Sequence, residues 1–201
     1  MMKGKRVFKI KHVAIDHFKV PLPIVLSDST HGEMSHFGLV TVRVSNEQGQ
    51  EGLGYTYTPN NIGAVAIHKL IEQDLAEAIL SSTVDSIEGF WEEMWWHVHF
   101  VGRGGLAAFA IAAVDIALWD LQAKSSNKPL WRLLGGDSPE VKAYAGGIDL
   151  DFTLDQLLAQ ADGFLAQGFH AIKMKVGREV LQQDIERVQA MRKFVGSDFP
   201  L

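Results

Sequence analysis

No cysteine occurs anywhere in the 201 residues, so the chain has no disulfide framework, no thiolate metal site and no thiol nucleophile. Strong charge of either sign is also missing. The formal net charge of −5 offers no reason to expect nucleic acid or an anionic membrane as partner. Long apolar runs are scarce: the longest, "GLAAFAIAAVDIALW", is interrupted by Asp115 and reads as too short to span a bilayer. The basic start, "MMKGKRVFKIKHVAI", is not followed by an apolar stretch and small-residue cleavage site of the secretory kind. With 47% hydrophobic and 21% charged residues, the remaining composition is that of a soluble globular protein, expected in the cytoplasm.

The first part of the chain mixes strands and helices. "FKIKHVAIDHFKV" alternates as a strand should, and "GLVTVRVSNEQGQEGLGYTYT" predicts two strands joined around Gln48, Gly49 and Gln50. Helical patterns follow over 62–80, 86–97 and 105–124, the last apolar nearly all round and therefore expected to be buried. Asp85, three residues before Glu88, has the spacing of an N-cap with its reciprocal partner. "KPLWRLLGGDSPE" closes this region and places a domain boundary near Gly136–Pro139.

Beyond it the rhythm changes to strand, helix, strand, helix: "VKAYAGGI", a helix capped by Thr153, "HAIKMKV" and a second helix. Short joins between such elements are the pattern of parallel βα units. The expected fold is an α+β domain over residues 1–138, then two βα units of a TIM-type barrel over residues 139–201, truncated before the third strand. A (β/α)₈ barrel takes roughly 200 residues or more by itself, so the expectation is an N-terminal piece of a longer design.

The stretch "AIKMKVG", Ala171–Gly177, sets Lys173 and Lys175 one residue apart in an apolar strand. Strand alternation puts Ile172, Met174 and Val176 on one face and Ala171, Lys173 and Lys175 on the other. Either the lysines are a solvated strand face, or they point into a barrel near the strand's C-terminal end, where such barrels keep their active sites. In the second case an amine crowded by another cation is a base near neutral pH, and its protonated neighbour can hold a carboxylate. That pairing suits removal of a proton next to a carboxylate, with a divalent metal stabilising the enediolate.

Two stretches give the sequence a family likeness. "AIAAVDIALWDLQAKSSNKPLWRLLGG", Ala110–Gly136, and "KMKVG" resemble signatures of the mandelate racemase/muconate lactonizing branch of the enolase superfamily. The resemblance implies an α+β capping domain over the barrel mouth, Lys175 as catalytic base and Lys173 as its carboxylate-binding neighbour. It also implies Mg²⁺ as cofactor, held by carboxylates on later barrel strands, so no metal ligand is expected in this chain. The expected partner is a small-molecule carboxylate, most simply a sugar acid, and a homo-oligomer is expected. Dehydration of an aldonate or aldarate leads; racemisation, epimerisation or cycloisomerisation share its first step, and a truncated non-catalytic binding or assembly module is the alternative from another class. The "KVGRE" and "GRGG" stretches lack the spacing of phosphate-binding loops.

By the same resemblance two mobile loops, "LSDSTHGEMSHF" and "YTYTPNN", would select the substrate. Ser29, Thr30, His31 and Tyr55 are the candidate contacts, set against the plain alternative of solvated loop residues. Arg103 in "VGRGG" is either a clamp for a distal carboxylate or a helix-start or interface residue. Asp115 and Asp120 are expected to be structural carboxylates, and His97 and His99 to be packing residues rather than metal ligands.

Overall fold

The computed structural model describes residues 9–82 and 85–201; Met1–Phe8 lie outside the described residues. Three strands open the fold, β1 (Ile10–Asp28), β2 (Gly32–Asn46) and β3 (Glu51–Pro59), hydrogen-bonded in the order β1-β2-β3. β2 and β3 run antiparallel with Leu39 opposite Tyr57 and Val42 opposite Gly54. Helices α1 (Ala64–Leu70), α2 (Ala76–Ser81), α3 (Ile87–His97), α4 (Leu106–Ser125) and the single turn α5 (Leu130–Leu133) follow. A π-helical turn, Ile71–Leu75, joins α1 to α2, so the helix expected over 62–80 carries a widened turn in its middle.

Two expectations about this region are corrected. The cap of α3 is Ser86, whose side chain accepts the Gly89 N–H at 3.1 Å, and not Asp85. Helix α4 extends to Ser125 and, by length and mean hydropathy of 1.6, is sufficient to cross a membrane; half of that window is buried in the protein, as in a core helix. Its buried side is lined by Ala107, Ala110, Ile111, Ala113, Val114, Ala117, Leu118 and Leu121, and it packs on β3. That packing is backbone on backbone. A Cβ at Gly52 would collide with the Ala117 carbonyl, and one at Gly54 with the Ala113 carbonyl. Asp120 secures the join by accepting the Leu53 N–H at 2.8 Å while pairing with Lys124 at 2.7 Å, the structural role expected of it. Asp115 is partly buried, and that burial, reinforced by the charge of Glu88, raises its pKa.

By its contacts the chain divides into two compact units. Among the described residues, one comprises Lys9–Val20 with His36–Pro139; the other comprises Pro21–Ser35 with Glu140–Leu201. The second unit thus takes in the tip of the β1–β2 hairpin. The segment expected to be a loop over 26–37 is strand at both ends, with a turn only at Ser29–His31. Likewise Tyr55–Pro59, expected as a loop, completes β3.

The second unit holds β4 (Ala145–Gly146), α6 (Leu154–Ala166), β5 (Ile172–Lys173) and α7 (Leu181–Val195). β4 and β5 pair in parallel, with Ala145 opposite Ile172 and Gly146 opposite Lys173. Thr153 caps α6 as expected: its hydroxyl accepts the Gln156 N–H at 3.3 Å, and the Gln156 side chain accepts the Thr153 N–H at 2.9 Å. Ala145, Leu157, Ala161, Ile172 and Met191 form the buried core. On the other edge of β5, the Ile172 N–H donates to the Pro200 carbonyl at 3.0 Å.

The loops after β4 and β5 are locked by buried charge. Asp149 is 1% exposed and Arg187 on α7 is 5% exposed. The Asp149 carboxylate accepts the Lys175 N–H at 2.9 Å and stands 4.0 Å from the Arg187 guanidinium. Arg187 donates to the Asp149 carbonyl at 2.8 Å and the Phe152 carbonyl at 2.5 Å. Burial, and then the like charge of Arg178, lower the Arg187 pKa from its ordinary value. Arg178 itself donates through Nε and Nη2 to the Leu150 carbonyl at 3.0 and 2.7 Å. Asp184 accepts the Gly177 and Arg178 N–H groups at 2.7 and 3.1 Å.

Two stability predictions follow from these contacts. Gly54→Ala pushes a methyl into the α4 backbone and is expected to cost about 3 kcal/mol, at the upper end of overpacking, in urea unfolding. A loss below about 0.5 kcal/mol would show that α4 and β3 are not pressed together. Asp149→Ala strands a buried guanidinium and is expected to cost about 3–5 kcal/mol in the same measurement; a near-neutral result would mean that the pair is not buried.

Candidate active site

The site is built on the C-terminal ends of β4 and β5. Ile172 is 4% exposed and Met174 packs on the core beside it, so the alternate residues Lys173 and Lys175 take the opposite face. Lys173 is exposed; its side chain runs across Gly146 of β4, and its Nζ stands 5.9 Å from the Tyr144 ring centroid. Lys175 is held by its backbone to Asp149, and its side chain is 30% exposed. Its Nζ lies 3.9 Å from Oδ2 of Asp28 on the hairpin tip.

That tip is fixed against the strand ends at several points. Ser27 bridges Asp149 in parallel, with the Leu150 N–H donating to the Ser27 carbonyl at 3.3 Å. Ser29 presses on Gly177, where a Cβ would come within 2.9 Å of the serine side chain; the φ of 119° at Gly177 independently favours glycine. Between them Asp28 accepts the Thr30 N–H at 2.9 Å and the His31 N–H at 2.6 Å. The His31 Nδ1 lies 3.1 and 3.0 Å from its two carboxylate oxygens. These bonds from His31, backbone first and ring second, lower the Asp28 pKa to about 2. Asp28 is therefore ionised at neutral pH, and its stabilisation of the turn is present above about pH 4 and lost as pH falls toward 2.

The structure thus gathers Lys173, Lys175, Ser29, Thr30 and His31 within the second unit, and adds Asp28, Asp149, Arg178, Asp184 and Arg187, which the sequence did not single out. The signal for Asp28 was present in "SDSTH", where an Asp two residues before Thr and three before His is positioned for a side-chain-closed turn. A cleft of about 430 Å³ beside the tip is lined by Ser29, Leu150, Asp151, Gly177, Arg178 and Glu179. Tyr55 and Arg103 belong to the first unit. Tyr55 lies on the exposed face of β3, opposite to the buried Gly54 and Thr56. The Arg103 guanidinium stacks over Trp95 and Trp96, 5.0 and 4.4 Å from their ring centroids. His97 and His99 are both exposed, contrary to the packing role expected of them, although His99 bonds the Trp96 carbonyl at 2.8 Å and its ring lies 5.8 Å from that of Trp96. Among the described residues no three His, Asp or Glu side chains gather as a metal cluster would.

Comparison with known proteins agrees with this architecture. Residues 10–135 match the family described as mandelate racemase/muconate lactonizing enzyme, N-terminal domain, and residues 156–201 match the enolase C-terminal domain-like family. A 3,6-anhydro-α-L-galactonate cycloisomerase of Streptomyces coelicolor is 51% identical over 96% of this chain and 53% of its own length. A crystal structure of a racemase from the same organism, with bound magnesium, superposes with a TM-score of 0.92 at 50% identity, covering 96% of this chain and 54% of that one. The L-talarate/galactarate dehydratase of Salmonella typhimurium, liganded with Mg and L-lyxarohydroxamate, gives a TM-score of 0.89 at 30% identity, covering 96% of this chain and 50% of that one. The chain spans about half the length of these relatives. Its antiparallel sheet and helices over the first match and its βα units over the second are the two parts of that architecture, and the chain belongs to the mandelate racemase/muconate lactonizing enzyme family, within the enolase superfamily.

Proposed function

We propose that the protein carrying this chain removes the proton α to the carboxylate of a sugar acid and expels the oxygen substituent on the β-carbon, a carbon–oxygen lyase reaction acting on aldonates or aldarates. The observation that carries this reading is the placement of Lys173 and Lys175 on one face at the strand end, with Lys175 anchored by Asp149 and facing the hairpin tip. Lys175 takes the α-proton at its Nζ. The electron pair left on the α-carbon forms the double bond as the β-carbon–oxygen bond breaks, and the enol tautomerises to a 2-keto acid. Protonated Lys173 holds the substrate carboxylate, where a charge-assisted hydrogen bond has most effect. Ser29, Thr30 and His31 meet the hydroxyls.

The described residues do not fit a magnesium site, since no acidic cluster forms among them. In this proposal the ion seen in the relatives is held beyond Leu201, as is the acid that protonates the leaving oxygen. Residues 1–138 serve as the capping domain and 139–201 as the first two βα units. The 201 residues alone are expected to be inactive, and the whole protein to work in the cytoplasm. Phe109 and Ile116, large apolar side chains that α4 leaves 46% and 41% exposed, suit a homo-oligomeric contact.

A second reading changes only the leaving group. If the β-oxygen belongs to an anhydro ring, the same proton removal opens the ring and the net reaction is an isomerisation. The 51% identity to a cycloisomerase favours it. Incubating the whole protein with Mg²⁺ and a panel of aldonates, aldarates and anhydro-aldonates, and assaying 2-keto acid, separates the two. Lys175→Met is expected to lower kcat by about 10²–10⁴-fold. Lys173→Met is expected to act chiefly on KM, raising it about tenfold or more. Full turnover by Lys175→Met would sink the proposal.

A further inference from the structure

Asp28 has no role in the reaction as drawn above, yet it occupies the centre of the hairpin tip. Its carboxylate is divided between two tasks. Oδ1 accepts the two backbone N–H groups of Thr30 and His31 at 2.9 and 2.6 Å, which shapes the turn. Oδ2 lies 3.0 Å from the His31 Nδ1 on one side, with Oδ1 only slightly farther from that nitrogen at 3.1 Å, and 3.9 Å from the Lys175 Nζ on the other. A carboxylate can only accept, so the neutral imidazole must carry its proton on Nδ1 and keep the lone pair on Nε2. Free histidine prefers the opposite tautomer in water by a small margin, so the partner decides. The His31 side chain is 55% exposed and that of Asp28 only 13%, so the carboxylate sits behind the ring and leaves the ring open to a ligand. The tip as a whole cannot drift freely from the lysine, because Ser27 bridges Asp149 and Ser29 abuts Gly177.

We infer that Asp28 is a positioning residue that fixes the His31 ring with Nδ1–H toward its carboxylate, leaving Nε2 to accept a hydrogen bond from a substrate hydroxyl beside Lys175. This rests on the reading of His31 as a substrate contact. The hydroxyl of a sugar acid donates to Nε2, so its oxygen lone pairs remain available to other donors, and the substrate is aligned along the line from His31 to the base. A substrate lacking that hydroxyl would leave nothing for the ring to hold.

Asp28→Asn tests the inference sharply, because the amide splits the two tasks. Its oxygen can stay on the backbone N–H groups and preserve the turn, while its NH₂ takes the place of Oδ2, the nearer of the two oxygens to Nδ1, and donates to that nitrogen, which moves the proton of His31 onto Nε2. In the whole protein, imidazole ¹⁵N shifts are expected to report the Nδ1–H tautomer for His31 and the Nε2–H tautomer in Asp28→Asn. The kcat/KM for the sugar acid is expected to fall about tenfold in Asp28→Asn and in His31→Ala, the weight of one hydrogen bond, with no further loss when the two changes are combined. An unchanged tautomer in Asp28→Asn, or losses that multiply in the double variant, would overturn the positioning role. A loss in His31→Ala with Asp28→Asn fully active would overturn it too, while leaving the substrate contact intact. Unchanged kinetics in His31→Ala would remove the contact itself and the inference with it, and leave the lysine chemistry untouched.

Discussion

The buried carboxylate of Asp149 ties the loop after β4 to the end of β5. Burying a charge is costly unless it is paired and hydrogen-bonded; Asp149, at 1% exposure, meets the Lys175 N–H and the nearby Arg187 guanidinium through Oδ1, while its Oδ2 has no hydrogen-bond partner among the described residues. Its backbone takes part as well: its carbonyl accepts from Arg187, and its bridge to Ser27 docks the hairpin tip. Three segments far apart in sequence therefore meet at one residue. Once the Lys175 backbone is fixed there, its side chain faces Asp28 on the hairpin tip, while that of Lys173 runs across Gly146. The chemistry of the site is downstream of that anchor.

The first unit solves a different problem, that of covering a sheet with a helix lacking a polar face. Helix α4 is apolar nearly all round, and amphipathicity gives no orientation to such a helix. Orientation comes instead from absent side chains: Gly52 and Gly54 let the Ala113 and Ala117 turns of the helix settle on the β3 backbone. Asp120, accepting the Leu53 N–H, then fixes the helix along its axis. The alternation that buries the glycines leaves Leu53, Tyr55 and Tyr57 on the exposed face of β3.

Much of this was legible in the sequence where local chemistry decides. The βα rhythm, the Thr153 cap and the division of "IKMK" into two faces each depend on neighbours within a few residues. The hairpin tip was not legible: its Ser, Asp, Thr and His composition reads as loop, whereas the backbone of Pro21–Asp28 and Gly32–Ser35 is committed to strand pairing, to which polar side chains are no obstacle. The cap of α3 was displaced by one residue because adjacent Asp85 and Ser86 are both good caps, and only the backbone geometry chooses between them. Asp149, Arg178 and Arg187 gave no signal at all. Their partners are backbone carbonyls and N–H groups 26 to 38 residues away, and such contacts leave no pattern in a single sequence.

The paired lysines, the anchored strand end and the membership in the mandelate racemase/muconate lactonizing enzyme family support the elementary step proposed above, removal of a proton from carbon next to a carboxylate. That step leaves a trace independent of what the β-oxygen does next. The most direct measurement is therefore hydrogen exchange at the α-carbon: the whole protein with Mg²⁺ is held with a sugar acid in D₂O, and the α-proton resonance is followed by NMR in substrate and product. The account predicts replacement of that proton or its loss into product with the native protein, and neither with Lys175→Ala. Undiminished exchange or turnover in Lys175→Ala would contradict it, and the base would have to be sought elsewhere.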